Sequence, residues 1–167
     1  MKTKIILLTY LLFVSGLLFG QTTPEPASQL LDKACKQAAK EKKNVLVVFH
    51  ASWCSWCKKF EASVNDSSCK AYFDRSYVIL YLTILESKDK KALENPGAED
   101  LFNQNGGKGG GIPYFLIYDK KGKLLTDSKM VAGSDPNSKP ANIGCPAADD
   151  EVAAFVEKLK KLSLIHI

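Results

Sequence analysis

The sequence predicts an α/β fold in which a central mixed β-sheet is flanked by helices on both faces. Three observations carry this. Val45-Leu46-Val47-Val48-Phe49 is an unbroken apolar, largely β-branched run, the composition of a strand buried on both faces. Helical and strand patterns alternate around it, which implies a β-α-β crossover and parallel strands. Further on, Pro113 to Tyr118 reads as a strand followed by a Lys121-Gly122 turn, which returns the chain antiparallel and makes the sheet mixed.

Taken in order, the first helix spans Ser28 to Lys43. Its apolar residues Leu30, Leu31, Ala34, Cys35, Ala38 and Ala39 recur on one helical face, with Ser28 as the expected N-cap. Asn44 ends it, and the Val45 to Phe49 strand follows. A second helix runs from Cys54 to about Asn65, and Val78 to Leu85 is a second buried strand. Glu86 to Glu94 is charged and expected to be solvated, and Asn95-Pro96-Gly97 is a turn signal. A short helix through Leu101 and Phe102 leads into the glycine cluster between Gly106 and Gly111. Beyond the Pro113 strand, its antiparallel partner falls around Leu124 or Met130 to Ala132. Ser134 to Ala148 is a Pro-, Ser- and Asn-rich loop that holds Cys145. Asp149-Asp150-Glu151 opens the last helix, acids suited to the positive end of a helix dipole. That helix is expected to bury Val152, Phe155, Val156, Leu159 and Leu162.

A chain of 167 residues fits one domain. With 46% hydrophobic and 25% charged residues, wholesale disorder is excluded. The net charge of +5 includes Lys2 and Lys4, and the remaining lysines alternate with acids, as in Lys88-Asp89-Lys90-Lys91. No single-sign stripe forms, so no nucleic-acid partner is expected. Lys2 and Lys4 precede an apolar run from Ile5 to Phe19, the layout of a signal peptide over residues 1–20 with cleavage after Gly20. Leu18 fits the upstream small-residue preference less well than Gly20 fits the cleavage position. The run is shorter than the roughly 20 residues of a comfortable membrane span. An uncleaved N-terminal anchor is the alternative, and in that case alone a membrane becomes a partner. Gln21 to Pro26 forms a polar tether, residues 21–26. The domain is therefore expected to be exported, to the periplasm if the source is Gram-negative, where disulfides persist.

The chemistry is concentrated in Trp53-Cys54-Ser55-Trp56-Cys57. Two cysteines separated by two residues, after a buried strand and at the opening of a helix, form a redox signal. A thiol at a helix N-terminus meets unpaired N–H groups and the positive end of the dipole, so its thiolate is stabilised. Cys54, expected to be the more exposed, attacks a disulfide; Cys57, one turn deeper, resolves the mixed disulfide and closes a Cys54–Cys57 bond. A purely structural disulfide is the bland alternative, though so small a ring removes little unfolded-state entropy. Haem attachment needs His after the second cysteine, where Lys58 stands. Zinc needs four ligands, and Cys35, Cys69, Cys145, His50 and His166 are scattered. A binding module that holds a partner, or a soft metal such as Cu(I) on the two thiolates, is the competing class, and the absence of further Cys, His or Met beside the pair speaks against the metal. No cofactor and no metal is expected.

The stretch from Val45 through Lys58, followed by Asn95-Pro96-Gly97 and Gly111-Ile112-Pro113, resembles the thioredoxin-like proteins. It also looks like exported reductase relatives such as the C-terminal domain of the reductant carrier DsbD. The resemblance implies a thioredoxin-like domain over residues 27–162, a tail over residues 163–167, and thiol–disulfide oxidoreductase activity on protein substrates with an upstream thiol donor. It further implies a cis Ile112–Pro113 bond facing the cysteines, with Trp53, Ile112 and Pro113 in substrate binding. Without His between the cysteines, the couple is expected to be reducing rather than strongly oxidising.

Departures from the family pattern are specific. Val48 stands where a buried acid is usual, and His50 where Trp is common. Ser55-Trp56 separates the cysteines, and Ser134 to Ala148 looks like an insertion. In the DsbD-like pattern an acid follows the second cysteine, here Cys57-Lys58-Lys59-Phe60-Glu61, which makes Glu61 a candidate general base for Cys57. Its alternative is a solvated helix carboxylate. Trp53 and Trp56 are expected to form a partly exposed rim, His50 to be a hydrogen-bonded core histidine, and Cys35 a buried inert thiol. Family topology places Cys69 and Cys145 at opposite poles.

Overall fold

The computed structural model describes residues 23–133 and 137–164. The signal segment of residues 1–20 lies outside these, as do 21–22, 134–136 and 165–167. Helix α1 is Ala27–Glu41 and strand β1 is Asn44–His50. Helices α2 (Ser55–Asn65) and α3 (Lys70–Ser76) follow, then β2 (Tyr77–Thr83), a 3₁₀ turn at Lys88–Leu93 and α4 (Ala98–Gln104). The chain finishes through β3 (Tyr114–Tyr118), β4 (Leu124–Asp127), the short strands β5 (Lys129–Met130) and β6 (Ala141–Asn142), and α5 (Asp149–Leu164).

The main sheet has the order β2-β1-β3-β4. β1 runs parallel to β2, with Val48 beside Tyr81, and antiparallel to β3, with Val48 opposite Phe115. This is the mixed sheet expected. Alternation along β1 builds both layers. Val45, Val47 and Phe49 point into one core with Ala34 and Ala38 of α1 and Phe102 of α4. Leu46 and Val48 point into the other with Phe60 and Val64 of α2 and Leu159 and Leu162 of α5. Each such side chain contributes about 1.5–3 kcal/mol on full burial, and β1, at the centre, is the stable platform from which the Cys54 loop departs. The missing family acid at Val48 is therefore an apolar contact beneath α2.

Several sequence expectations are corrected. α1 begins at Ala27 with Pro26 in the cap position and no side-chain cap, so Ser28 lies inside the helix. Its end is a left-handed Lys42 (φ 57°) whose N–H donates to the Ala38 carbonyl. β2 ends at Thr83 and is half-buried over most of its length, because it stands at the sheet margin. β4 is the partner of β3, while Met130 belongs to a separate two-stranded ribbon with Ala141. The Ser134 to Ala148 loop thus contains a strand. On α5, Leu159 and Leu162 are buried and Phe155 partly so, but Val152 and Val156 are exposed. They face an open groove rather than the core.

Candidate active site

The loop leaving β1 makes a tight turn, closed by the Cys54 N–H donating to the Ala51 carbonyl at 3.1 Å. Cys54 then caps α2. Its extended backbone (φ −76°, ψ 102°) aims Sγ back along the helix, where it accepts the Cys57 N–H at 3.1 Å. The two sulfurs are bonded at 2.07 Å with Cα atoms 5.3 Å apart. Charge developing on Cys54 during cleavage would meet a hydrogen-bond donor and the helix dipole. The sequence reading made Cys54 the more exposed cysteine; instead Cys54 and Cys57 are 3% and 4% exposed. Ala51 and Ile112 cover the disulfide, and Trp53 and Trp56, 57% and 47% exposed, form its rim. The Lys59 ammonium sits 4.2 Å from the Trp56 ring centroid, a cation–π contact.

Across from the disulfide, the Ile112–Pro113 peptide bond is cis, as the resemblance implies. The Ile112 carbonyl lies 3.7 Å from Cys54 Sγ. A disulfide sulfur has no proton to donate, so this is a close approach that becomes available as a hydrogen bond in the reduced thiol. The glycine loop before it is tied down. The Asn142 amide donates to the carbonyls of Gly110 (2.9 Å), Gly111 (3.1 Å) and Pro113 (3.0 Å), while its oxygen accepts from the fully buried Ser128 hydroxyl at 2.6 Å. Gly144 passes so close that a Cβ there would lie 1.7 Å from the Pro113 carbonyl oxygen. The result is a groove lined by Trp56, Gly111, Ile112, Pro113, Gly144 and Cys145.

His50 ends β1 behind this site. Its Nε2 is 3.3 Å from Thr83 Oγ1 and its ring stacks edge-on against Tyr81 at 5.5 Å. Burial lowers its pKa despite the opposing charges of Glu61 and Glu86. It is hydrogen-bonded as expected, but half-buried at the end of β1 rather than in the core. Glu61 is solvent-exposed on α2. Burial, assisted by the Glu61 charge, pushes the Tyr81 phenol up to about 12.

Two residues went unseen in the sequence. Glu86, assigned to a solvated stretch, is 4% exposed. The Ser52 N–H donates to its Oε1 at 2.5 Å and the Ser52 hydroxyl to its Oε2 at 2.8 Å. Its one sequence signal is its place directly after a strand. Asn142 sat unnoticed in a loop defined only by composition.

The remaining cysteines, Cys35, Cys69 and Cys145, are free thiols and half-buried. Cys35 is less enclosed than expected. Burial raises the pKa of Cys35 and of Cys145. Cys69 and Cys145 line one apolar groove of about 470 Å³ that runs along α2, α3 and α5, with Cys145 at the end that also borders Trp56, Ile112 and Pro113 and Cys69 past the other end of α2. Among the described residues no cluster of three or more His, Cys, Asp or Glu could hold a metal ion.

A family model described as a thioredoxin-like domain matches residues 31–132. No curated protein matches the chain. Among solved structures, a disulphide isomerase from Xylella fastidiosa Temecula1 is 19% identical over 67% of this chain and 79% of that one, with a TM-score of 0.50. The DsbD C-terminal domain of Neisseria meningitidis in its oxidised form is 21% identical, covering 83% and 97%, at 0.47. The thioredoxin protein Deadhead of Drosophila melanogaster is 18% identical, covering 85% and 99%, at 0.45.

Proposed function

The chain belongs to the thioredoxin-like domain family, and from that premise we propose that it is a thiol–disulfide oxidoreductase that is exported and reduces protein disulfides. The observation that carries the reading is Cys54 at the N-cap of α2, its sulfur bonded to Cys57 and accepting the Cys57 N–H at 3.1 Å. In the reduced state the Cys54 thiolate attacks a substrate disulfide. One S–S bond breaks, the Cys54–substrate bond forms, and the substrate's other sulfur leaves as a thiolate. Cys57 then loses its proton and attacks the Cys54 sulfur. The mixed disulfide breaks, the second substrate thiol is released, and the two electrons given to the substrate leave a Cys54–Cys57 bond. An upstream thiol donor restores the dithiol by the reverse exchange.

Trp53, Ile112 and Pro113 are the residues against which an extended substrate segment lies, Ile112 through its backbone. Glu61, one turn beyond Cys57 on α2, is the proposed base that takes the Cys57 proton. Export rests on the basic, apolar leader within residues 1–20, and the reducing direction on Ser55-Trp56, which offers no imidazolium to stabilise the thiolate.

Thiol trapping with insulin as substrate tests the assignment. Cys57→Ser should accumulate a mixed disulfide through Cys54, and Glu61→Gln should slow the resolution step without loss of folding. A mixed disulfide that clears at the parent rate in Glu61→Gln removes Glu61 from the mechanism. Equilibration with glutathione buffers reads the direction, and a potential near the about −120 mV of a strong oxidant would overturn the reductase reading.

A further inference from the structure

Among the described residues Glu86 is the one buried charged side chain, and nothing in the exchange mechanism uses it. Burying a carboxylate is costly unless its oxygens are hydrogen-bonded. Here both accept from a single residue, Ser52, through its N–H and its hydroxyl. Ser52 is a central residue of the turn closed by Cys54 N–H on Ala51. The next residue, Trp53, is held from the same corner, its indole N–H donating to the Leu85 carbonyl at 2.7 Å. Leu85 itself adopts a left-handed backbone (φ 55°), and that turn aims the Glu86 side chain inward. The corner is anchored from behind. The Glu86 N–H donates to Glu94 Oε1 at 2.7 Å, and Lys91 pairs with the same oxygen at 2.7 Å.

We infer that Glu86 is an electrostatic tuning residue for Cys54: its negative charge, fixed on the turn that carries the sulfur, opposes the thiolate and tilts the pair toward the disulfide. The inference rests on the proposed reading of Cys54 as the attacking thiol and deepens its reducing direction. Glu86 brings this charge from the segment that follows β2, through its two hydrogen bonds to Ser52. The sign follows from charge alone. A like charge in a poorly solvated site disfavours ionisation, so the reduced, thiolate-bearing form is destabilised relative to the neutral disulfide and the potential falls. Other charged or titratable groups at this pole are Cys57, Lys58, Lys59 and Glu61 on α2, His50 on β1, Tyr81 on β2, Lys91 on the 3₁₀ turn and Glu94 just after it, and Cys145 and Glu151 beside the Ile112–Pro113 groove. None of them changes in the variants below.

Glu86→Gln removes the charge and keeps an acceptor for the Ser52 N–H; Ser52→Ala removes one hydrogen bond and keeps the charge. Cys54 ionisation is followed by thiolate absorbance and by alkylation rate against pH, and the potential by glutathione equilibration above the Cys54 pKa. Glu86→Gln should carry roughly three- to tenfold more thiolate at a given pH below the midpoint and a higher potential, by up to about 30 mV for the tenfold case. Ser52→Ala should leave the midpoint near that of the parent. An unmoved Cys54 titration in folded Glu86→Gln overturns the inference, as does a shift of equal size in Ser52→Ala, which would make the role mechanical. Should Glu86→Gln not fold, the parent protein answers the same question. The ¹³C shift of the Glu86 carboxyl should respond at the Cys54 midpoint in the reduced protein and not in the oxidised one, since coupled groups report each other's ionisation. No response defeats the idea. A strongly oxidising potential in the parent defeats the reductase reading instead, and leaves the Glu86 result standing.

Discussion

Cys54 and Cys69 both occupy the N-cap position of a helix, and only one of them is built as a redox centre. Cys54 has an extended backbone, its sulfur accepts the Cys57 N–H, and α2 runs 11 residues beyond it. Cys69 has a helical backbone (φ −107°, ψ −30°), makes no side-chain cap bond, and precedes a helix of 7 residues. Its sulfur lies 3.6 Å from the hydroxyl of the preceding Ser68. The surroundings differ in the same sense. A tied glycine loop and cis-proline segment face Cys54, while Cys69 looks into an open apolar groove. Proximity to a helix end is therefore insufficient; the backbone conformation that turns sulfur toward the free N–H groups makes the thiolate site.

The sharpest break of this comparison is to remove each sulfur. Cys54→Ser should lower insulin reduction by roughly three orders of magnitude or more, as expected when a nucleophile is lost, while Cys69→Ser should stay within about twofold. Comparable losses in both would abolish the distinction. The loop facing Cys54 offers a second test. Gly144→Ala places a methyl against the Pro113 carbonyl, and the backbone shift should cost about 1–3 kcal/mol of stability together with most of the activity. A Tm and turnover equal to the parent's would mean the loop is not held as described.

Asn142→Ala is a milder version of the same perturbation. It strands the buried Ser128 hydroxyl and three loop carbonyls, for about 1–3 kcal/mol. Its main kinetic effect should be a raised KM for a protein disulfide with kcat for a small aromatic disulfide nearly unchanged. Alkylation of the reduced chain then ranks the thiols: Cys54 first, with Cys35 and Cys145 slower by about tenfold, because burial raises their pKa values and the thiolate is the reactive form. The smallest effect concerns His50. Its folded pKa lies below the ordinary value of 6.5, so the unfolded chain takes up its proton first. Stability contributed by neutral His50 is complete above about pH 6.5 and declines as pH falls toward the folded value. Urea midpoints at pH 7.5 and 5.5 should therefore converge slightly in His50→Gln relative to the parent.

The redox pole was legible because its signals are local. Five consecutive buried apolar residues mark β1, and the two-residue spacing of Cys54 and Cys57 after it places both on the first turn of a helix. Glu86 was not, since its burial depends on Leu85 turning left-handed and closing onto Ser52, which lies 34 positions earlier. Charge content alone assigns such a residue to solvent. The helical period of Val152 and Val156 is genuine, but periodicity states which residues share a face and says nothing of whether another element covers that face. β5 and β6 are two residues each, too short for any alternation to register.

β2 has a consequence for handling the protein. Its segment Tyr77-Val78-Ile79-Leu80-Tyr81-Leu82-Thr83 carries no charge and no proline, and among the described residues no strand lies beside its outer edge. Its two faces are shielded by side chains of both cores, α1 on one side and α3 on the other. Such a segment is a template for intermolecular cross-β pairing whenever those helices are loosened. Refolding losses should then rise with protein concentration, and a lysine placed at half-exposed Ile79 should lessen them at some expense in native stability.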